Sequence, residues 1–162
     1  MGNIYMKRIA LTGAVLLGSL ISLNALAAAA PTPEEQAASA VSSRQAVFKL
    51  LSFSNGPLGG MARGGAYDAD AAKLAAERVA MLGEMIPALF AMDTTSFTGN
   101  TTRAADTIWG SKADFDALAA DLVAGANTAL EILNSKGEAG VREAVGAIGP
   151  KCGACHDRFR LD

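Results

Sequence analysis

The stretch GPKCGACHDRFRLD, residues 149–162, ends the chain and holds both of its cysteines and its only histidine. Cys152, Cys155 and His156 fall within five consecutive residues, and none of the residues before them is a cysteine or a histidine. On a helix, positions i, i+3 and i+4 share one face. The pattern therefore predicts that two thiols and one imidazole project together from the last helix.

The spacing C-x-x-C-H is the signature of covalent haem attachment. Two thiols on one helix face suit addition to the two vinyl groups of a haem, which forms two thioethers. The adjacent imidazole suits an axial ligand of the iron. We therefore expect one haem c per chain, attached through Cys152 and Cys155, with His156 as the metal ligand.

Three other chemistries use closely spaced cysteines. A thioredoxin-like redox motif requires a βαβ setting, which the sequence does not indicate. A zinc site requires three or four protein ligands, and the chain has no other cysteine or histidine. A Cys152–Cys155 disulfide is the third alternative, because disulfides form outside the cytoplasm. It does not explain why His156 follows directly.

The N-terminus has the pattern of a secretory signal peptide. Lys7 and Arg8 precede the uncharged stretch IALTGAVLLGSLISLNALA, residues 9–27, which ends in a small-x-small cleavage site. We expect residues 1–27 to be removed and residues 28–162 to form the mature domain in the periplasm, with no stable membrane anchor. An uncleaved anchor is the alternative, because the stretch is nearly long enough to span a bilayer.

The composition predicts one helical domain. The chain has 162 residues, 51% of them hydrophobic and only 6% aromatic, which is enough for a core and favours helices. Residues 1–27 hold two basic and no acidic residues. The remaining chain therefore has 12 Lys+Arg (14 − 2) and 16 Asp+Glu, an acidic balance. No basic patch with interleaved aromatics supports a nucleic-acid partner. No acid–base pair or nucleophile constellation supports an enzyme.

Four helices are predicted from apolar spacing and end signals, at residues 32–54, 69–90, 112–133 and 138–160. Thr32, Asp68 and Ser111 are expected to be N-caps, and Asn55-Gly56-Pro57 is expected to stop the first helix. The second helix places one group of larger residues on a single face: Leu74, Arg78, Met81, Leu82, Met85 and Leu89. Four helices of this length predict an all-α, antiparallel four-helix bundle. The long connection over residues 91–111 has no clear period, and such loops are often functional.

This organisation resembles the class II c-type cytochromes, the cytochrome c prime family. The resemblance rests on KCGACHDRFR at residues 151–160, SRQAVF at residues 43–48 and IWGSKADF at residues 108–115, and it covers the whole mature chain. It implies a four-helix bundle with covalently bound haem, in which His156 is the proximal ligand of the iron.

The resemblance also implies roles for three further cofactor-binding residues. Arg160 matches a basic residue that flanks the proximal haem face, and Arg44 matches an arginine that reaches the haem propionates. Phe48 matches the residue over the vacant distal face, which is leucine in much of the family. From spacing alone, the favoured interpretations are a surface charge for Arg44, a complement to the negative C-terminal end of the helix for Arg160, and ordinary core for Phe48. Trp109 fits either packing against the haem or anchoring of a loop.

By the same resemblance the expected function is that of a periplasmic monohaem cytochrome with five-coordinate, high-spin iron, which binds nitric oxide or carbon monoxide and also transfers electrons. No distal hydrogen-bond donor is evident in the sequence, so dioxygen would gain little stabilisation. The alternative is a six-coordinate, low-spin electron carrier. Its sixth ligand would have to come from Met81, Met85, Met92 or Lys49, because no methionine follows His156.

The expected partners are the two gases, a redox partner that the sequence does not identify, and a second copy of the chain. Members of the family form homodimers through their first two helices. Here a set of small residues would allow such close contact: Ala37, Ala38, Ala40, Ala71, Ala72, Ala75 and Ala76.

Overall fold

A computed structural model describes residues 30–99 and 101–162, so the predicted signal peptide lies outside the described residues. The helices are α1 Pro33–Ala62, α2 Ala69–Leu89, the short α3 Thr107–Gly110, α4 Lys112–Lys136 and α5 Val141–Phe159. A 3-10 turn at Gly137–Gly140 joins the last two. None of the helices in these ranges is long and apolar enough to cross a membrane.

The four long helices form the predicted bundle. Helix α1 packs on α2, α2 on α4, α4 on α5, and α5 returns to α1. The core between them is built from alanine, leucine, valine, isoleucine and phenylalanine side chains, among which Phe115, Leu133 and Ile148 are almost fully buried. The prediction of an all-α four-helix bundle is confirmed.

The start of α1 agrees with the prediction and its end does not. The Thr32 backbone N–H donates to Glu35 Oε2 at 2.8 Å, and the Glu35 N–H donates to Thr32 Oγ1 at 3.2 Å, a capping box. The helix then continues through Pro57 to Ala62. Pro57 removes only the hydrogen bond to the Phe53 carbonyl, and both residues lie on the exposed side, where water replaces the lost donor. Leu58, fully buried one residue later, holds these last turns on the core.

The inner face of α2 is not the face that carries most of its larger residues. Leu82 is buried and Leu89 half-buried, but Leu74, Met81 and Met85 are 41%, 57% and 48% exposed. The buried face consists mainly of smaller residues, listed as Ala72, Ala75, Ala76, Val79, Ala80, Gly83 and Ile86. The small side chains face inward because α2 lies close to its neighbours, and only small groups fit the narrow space between the helices.

Close packing of α4 against α5 fixes the helix that carries the cysteines. A Cβ at Gly125 would lie 2.5 Å from the Ala147 carbonyl oxygen, so only glycine permits this approach.

The prediction of Ser111 as N-cap of α4 holds for its position, but its side chain makes no capping hydrogen bond. The Ser111 carbonyl instead accepts from the Phe115 N–H at 3.0 Å.

The loop between α2 and α4 is tied to the C-terminus. Ala104 and Arg160 form an isolated antiparallel bridge. The Ala105 N–H donates to the Phe159 carbonyl at 3.0 Å, and the Leu161 N–H donates to the Arg103 carbonyl at 2.8 Å. These bonds hold the loop beside the last turn of α5, directly next to His156.

Candidate functional site

A cavity of about 670 Å³ lies inside the bundle. Its walls come from all four long helices, with Phe48 and Leu51 on α1, Ile86 on α2, Leu118 on α4 and Ile148 on α5. The volume falls within the range of small-molecule and cofactor sites, roughly 300–1,000 Å³. The predominance of apolar side chains indicates a large, mostly hydrophobic occupant.

The C-x-x-C-H motif forms one wall of this cavity. Cys152, Cys155 and His156 all line it, and all three are half-buried. Both cysteines are free thiols in the structure. Burial raises the pKa of each thiol, and the neighbouring Cys152 raises the pKa of Cys155 further. The two thiols are therefore protonated at neutral pH and face an apolar space.

The electrostatics around His156 favour its neutral form. Burial lowers the pKa of the imidazole, and the positive charges of Arg160 and Arg103 lower it further, against a smaller opposite effect of Asp157. Arg160 Nη1 lies 3.1 Å from His156 Nδ1. A guanidinium only donates, so Nδ1 accepts in this contact and the proton of the neutral ring lies on Nε2. Ligation of a metal through Nε2 requires that this proton leave Nε2, with Nδ1 then carrying the N–H and the contact to Arg160 lost. A neutral imidazole is the form that ligates a metal.

The residues around the cavity fit a haem. The apolar walls suit a macrocycle, and the motif residues converge on the same space. Five cationic side chains also line it, Arg44, Lys49, Arg103, Lys151 and Arg160, whereas no aspartate or glutamate of the described residues does. Such an arrangement suits a cofactor with an apolar body and two carboxylates.

Arg44 lies at the edge of this cavity and is only 3% exposed. Its Nε donates to the Leu89 carbonyl at 2.8 Å, its Nη1 to Thr94 Oγ1 at 2.8 Å, and its Nη2 to the Met92 carbonyl at 2.6 Å. Burial lowers the pKa of the guanidinium, while nearby Asp93 raises it. Arg44 therefore joins α1 to the C-terminal end of α2, and its reach to a haem propionate stays a prediction.

A chain of aromatic rings connects Arg44 with both sides of the cavity. The guanidinium carbon lies 4.6 Å from the centroid of the Phe90 ring. Phe90 contacts Phe48 edge-on at 6.2 Å between centroids and Phe115 at 4.7 Å. Phe115 in turn contacts Phe159 at 5.4 Å. The position of Phe48 on the α1 wall thus depends on Phe90, and the position of Phe90 depends on Arg44.

Trp109 anchors a loop rather than lining the cavity. Its indole Nε1 donates to the Phe90 carbonyl at 3.1 Å, and the Arg44 guanidinium carbon lies 5.2 Å from its ring centroid. It is absent from the cavity walls of the described structure. Of the two interpretations left open by the sequence, loop anchoring agrees with this geometry.

The predicted cofactor-binding residues meet at one site. Cys152, Cys155, His156, Phe48 and Arg160 all line the cavity together with Arg44. Their individual roles toward the haem remain predictions, including the placement of Phe48 over the distal face of the haem.

Sequence reasoning missed other residues of the walls. Phe90 was assigned to the end of a helix, and Arg103 lies in a loop without any periodic signal. Ser52 and Asn55 also line the cavity, although Asn55 was interpreted as a helix stop. The signal for these two was their spacing of four and seven residues from Phe48, which places all three on one helix face.

Comparison with known proteins agrees with this geometry. The family model described as Cytochrome C' matches residues 39–160. The chain belongs to the cytochrome c' family. It is 36% identical to cytochrome c' of Cereibacter sphaeroides over 149 residues, which cover 91% of this chain and 97% of that protein.

Two solved structures of cytochromes c' show the same bundle. Cytochrome c' from Rhodopseudomonas palustris superposes with a TM-score of 0.69 at 32% identity, covering 76% of this chain and 96% of that one. The nitric oxide complex of a variant of cytochrome c prime from Alcaligenes xylosoxidans superposes with a TM-score of 0.67 at 25% identity, covering 78% and 97%.

Membership in the cytochrome c' family confirms the cofactor prediction. Proteins of this family carry covalently attached haem c, and the two thiols and the imidazole required for its attachment line the cavity. Family members bind gaseous ligands or transfer electrons through that haem.

The three hydrogen bonds by which Arg44 holds the end of α2 and the following loop, called here the Arg44 clamp, can be tested through the stability of the protein. We expect Arg44→Gln to lower the free energy of unfolding of the haem-loaded protein by about 2–4 kcal/mol, because one buried and two part-buried acceptors lose a charged donor. Arg44→Lys should lie between this variant and the wild type, since an ammonium lacks the planar fork. Urea unfolding measures all three.

Arg142→Gln is the matched control, because Arg142 is an exposed arginine on α5. It should change the unfolding free energy by less than about 0.5 kcal/mol. Equal stability of the two glutamine variants would contradict the role of Arg44 as a clamp.

Proposed function

We propose that this protein is a gas-binding cytochrome c' with five-coordinate, high-spin haem iron. The observation that carries the proposal is the composition of the cavity wall formed by α1. That wall presents Phe48 and Leu51 beside Lys49. Among the described residues, no methionine lines the cavity, and His156 is the only histidine of the chain. With Lys49 as the one other candidate ligand in the walls, the iron would keep a coordination position for an external ligand if Lys49 stays in solvent.

Haem c supplies an iron centre that takes a small diatomic gas such as nitric oxide or carbon monoxide. The chain's own residues attach, orient and shield it. The thiols of Cys152 and Cys155 form the attachment points on one face of α5, and His156 offers an imidazole next to Arg160. Phe48 restricts access from α1, so small neutral ligands are favoured over larger ones. The nitric oxide complex known for a structural neighbour supports this choice of ligand.

The alternative function is electron transfer by six-coordinate, low-spin iron. Three of its four candidate ligands receive no support: Met81 and Met85 are 57% and 48% exposed, and Met92 does not line the cavity. Lys49 does line it and is exposed. Lys49 is therefore the residue on which this alternative rests.

We also propose a periplasmic location and a cleaved signal peptide at residues 1–27. The basic and apolar pattern of these residues supports the proposal. The two thiols support it as well, because the covalent attachment of haem c takes place outside the cytoplasm.

A second copy of the chain is the proposed protein partner. The small residues first considered for this contact are in part unsuitable, because Ala37, Ala72, Ala75 and Ala76 are buried within one chain. A different set of α1 and α2 residues is available on the surface: Leu50, Phe53, Leu74, Met81 and Met85, called here the apolar stripe.

The spacing of the apolar stripe suits a helix–helix interface. Leu74, Met81 and Met85 are separated by seven and four residues, and Leu50 and Phe53 by three, so each set follows one helix face. Phe53 alone is 73% exposed. Burying large apolar side chains releases roughly 1.5–3 kcal/mol each, which a homodimer through these two helices would gain.

The coordination state is tested by optical and resonance Raman spectra of the purified ferrous protein, before and after addition of nitric oxide. We expect high-spin spectra that change when the gas is added, because a coordination position is open. Low-spin spectra that do not change when nitric oxide is added would overturn the proposal in favour of electron transfer. In that case the spectrum of Lys49→Ala should become high-spin if Lys49 is the sixth ligand.

The role of Phe48 is tested by carbon monoxide association after flash photolysis. We expect Phe48→Ala to raise the association rate constant by about tenfold, which corresponds to roughly 1.4 kcal/mol of barrier. Phe97→Ala, a change at a half-buried phenylalanine outside the cavity walls, should leave the rate unchanged. Similar rates for both variants and the wild type would show that Phe48 does not gate the site.

The dimer is tested by sedimentation velocity. We expect the wild type to sediment as a dimer and Phe53→Asp to sediment as a monomer, because a carboxylate at the apolar stripe would be buried without a partner. Leu161→Asp places the same charge at a residue that is 52% exposed outside the stripe and should remain dimeric. A monomeric wild type would refute the interface.

A further inference from the structure

One polar atom in the cavity has no partner. Asn55 Oδ1 is the only buried side-chain nitrogen or oxygen in residues 30–99 and 101–162 without a hydrogen bond. Asn55 lies on α1 and lines the same cavity as the C-x-x-C-H motif. Buried carbonyl oxygens in folded proteins nearly always accept a hydrogen bond, from the protein or from ordered water. This atom therefore points to an occupant that donates one.

Neither the helix nor the packing accounts for an asparagine at this position. Asparagine is a poor residue for a helix interior, and α1 continues past it to Ala62. Other side chains that line the same cavity include Val79, Leu122 and Ile148, which are apolar. A leucine would fit that surrounding and would leave no oxygen without a donor.

A second polar side chain lies next to Asn55. Ser52 precedes it by three residues on the same helix and also lines the cavity. Side chains at positions i and i+3 have Cβ atoms about 5–6 Å apart, a separation that one water molecule spans. A water molecule inside a protein needs two to four polar partners. The Ser52 hydroxyl and the Asn55 amide supply two of them.

We propose that Ser52 and Asn55 form a hydration site on the α1 wall of the cavity. The site takes a small molecule with an O–H donor, which is water in the resting protein. Asn55 Oδ1 accepts its hydrogen bond, and the Ser52 hydroxyl completes the pair. The α1 wall of the cavity then carries hydrogen-bonding groups, although no distal hydrogen-bond donor was evident in the sequence.

The proposal is tested by crystal structures of the haem-loaded protein, wild type and Asn55→Leu, determined with and without xenon under pressure. Apolar cavities stay dry and bind xenon, whereas hydrated polar sites do not. In the wild type we expect a water molecule within hydrogen-bond distance of the Asn55 side chain and no xenon beside it. In Asn55→Leu we expect the water to be absent and xenon to occupy its place.

Two further variants sharpen the result. Asn127→Leu makes the same change at an exposed position of α4 and should retain the wild-type water. Ser52→Ala removes one partner and should lower the occupancy of the water, which provides a test if Asn55→Leu fails to fold. The proposal is overturned if the wild type binds xenon at this wall, if the haem or the protein itself bonds to Asn55 Oδ1, or if Ser52→Ala leaves the occupancy unchanged. None of these outcomes depends on whether the iron binds a gas.

Discussion

The buried guanidinium of Arg44 is the interaction on which the site most depends. A charge in an interior is costly unless its donors are satisfied, and here Leu89, Met92 and Thr94 accept from it. The carbonyls belong to the end of α2 and to the loop after it, where the negative end of the helix dipole lies. One side chain of α1 therefore fixes the point at which α2 ends and the long loop begins.

The consequences of this contact reach the cavity through aromatic packing. Phe90 lies under the guanidinium and contacts both Phe48 and Phe115. The loop is held a second time by the bridge between Ala104 and Arg160. The two attachments place the loop next to α5 and the aromatic rings against α1, so the walls on both sides of the haem site are set by contacts distant in sequence.

The cavity separates chemical tasks between two helices. Helix α5 carries the reactive groups, because i, i+3 and i+4 spacing brings two thiols and one imidazole to a single face. Helix α1 carries Phe48, a bulky apolar residue, and Asn55, a polar one, on the wall of the same cavity. Its outer face exposes Leu50 and Phe53, which the proposed dimer would bury. In these proposals one helix serves both ligand selection and assembly.

Much of this protein was predictable from sequence because the relevant signals are local. Helical spacing identified the four helices, and five residues at the C-terminus identified the cofactor. The end of α1 was predicted wrongly, and the spacing in α2 did not show which face is buried, since both depend on which side of a helix meets a neighbour. The partners of Arg44 and the isolation of Asn55 Oδ1 were decided by tertiary structure alone. Hydrogen bonds across 45 to 50 residues leave no periodic trace, and burial is a property of the assembled bundle.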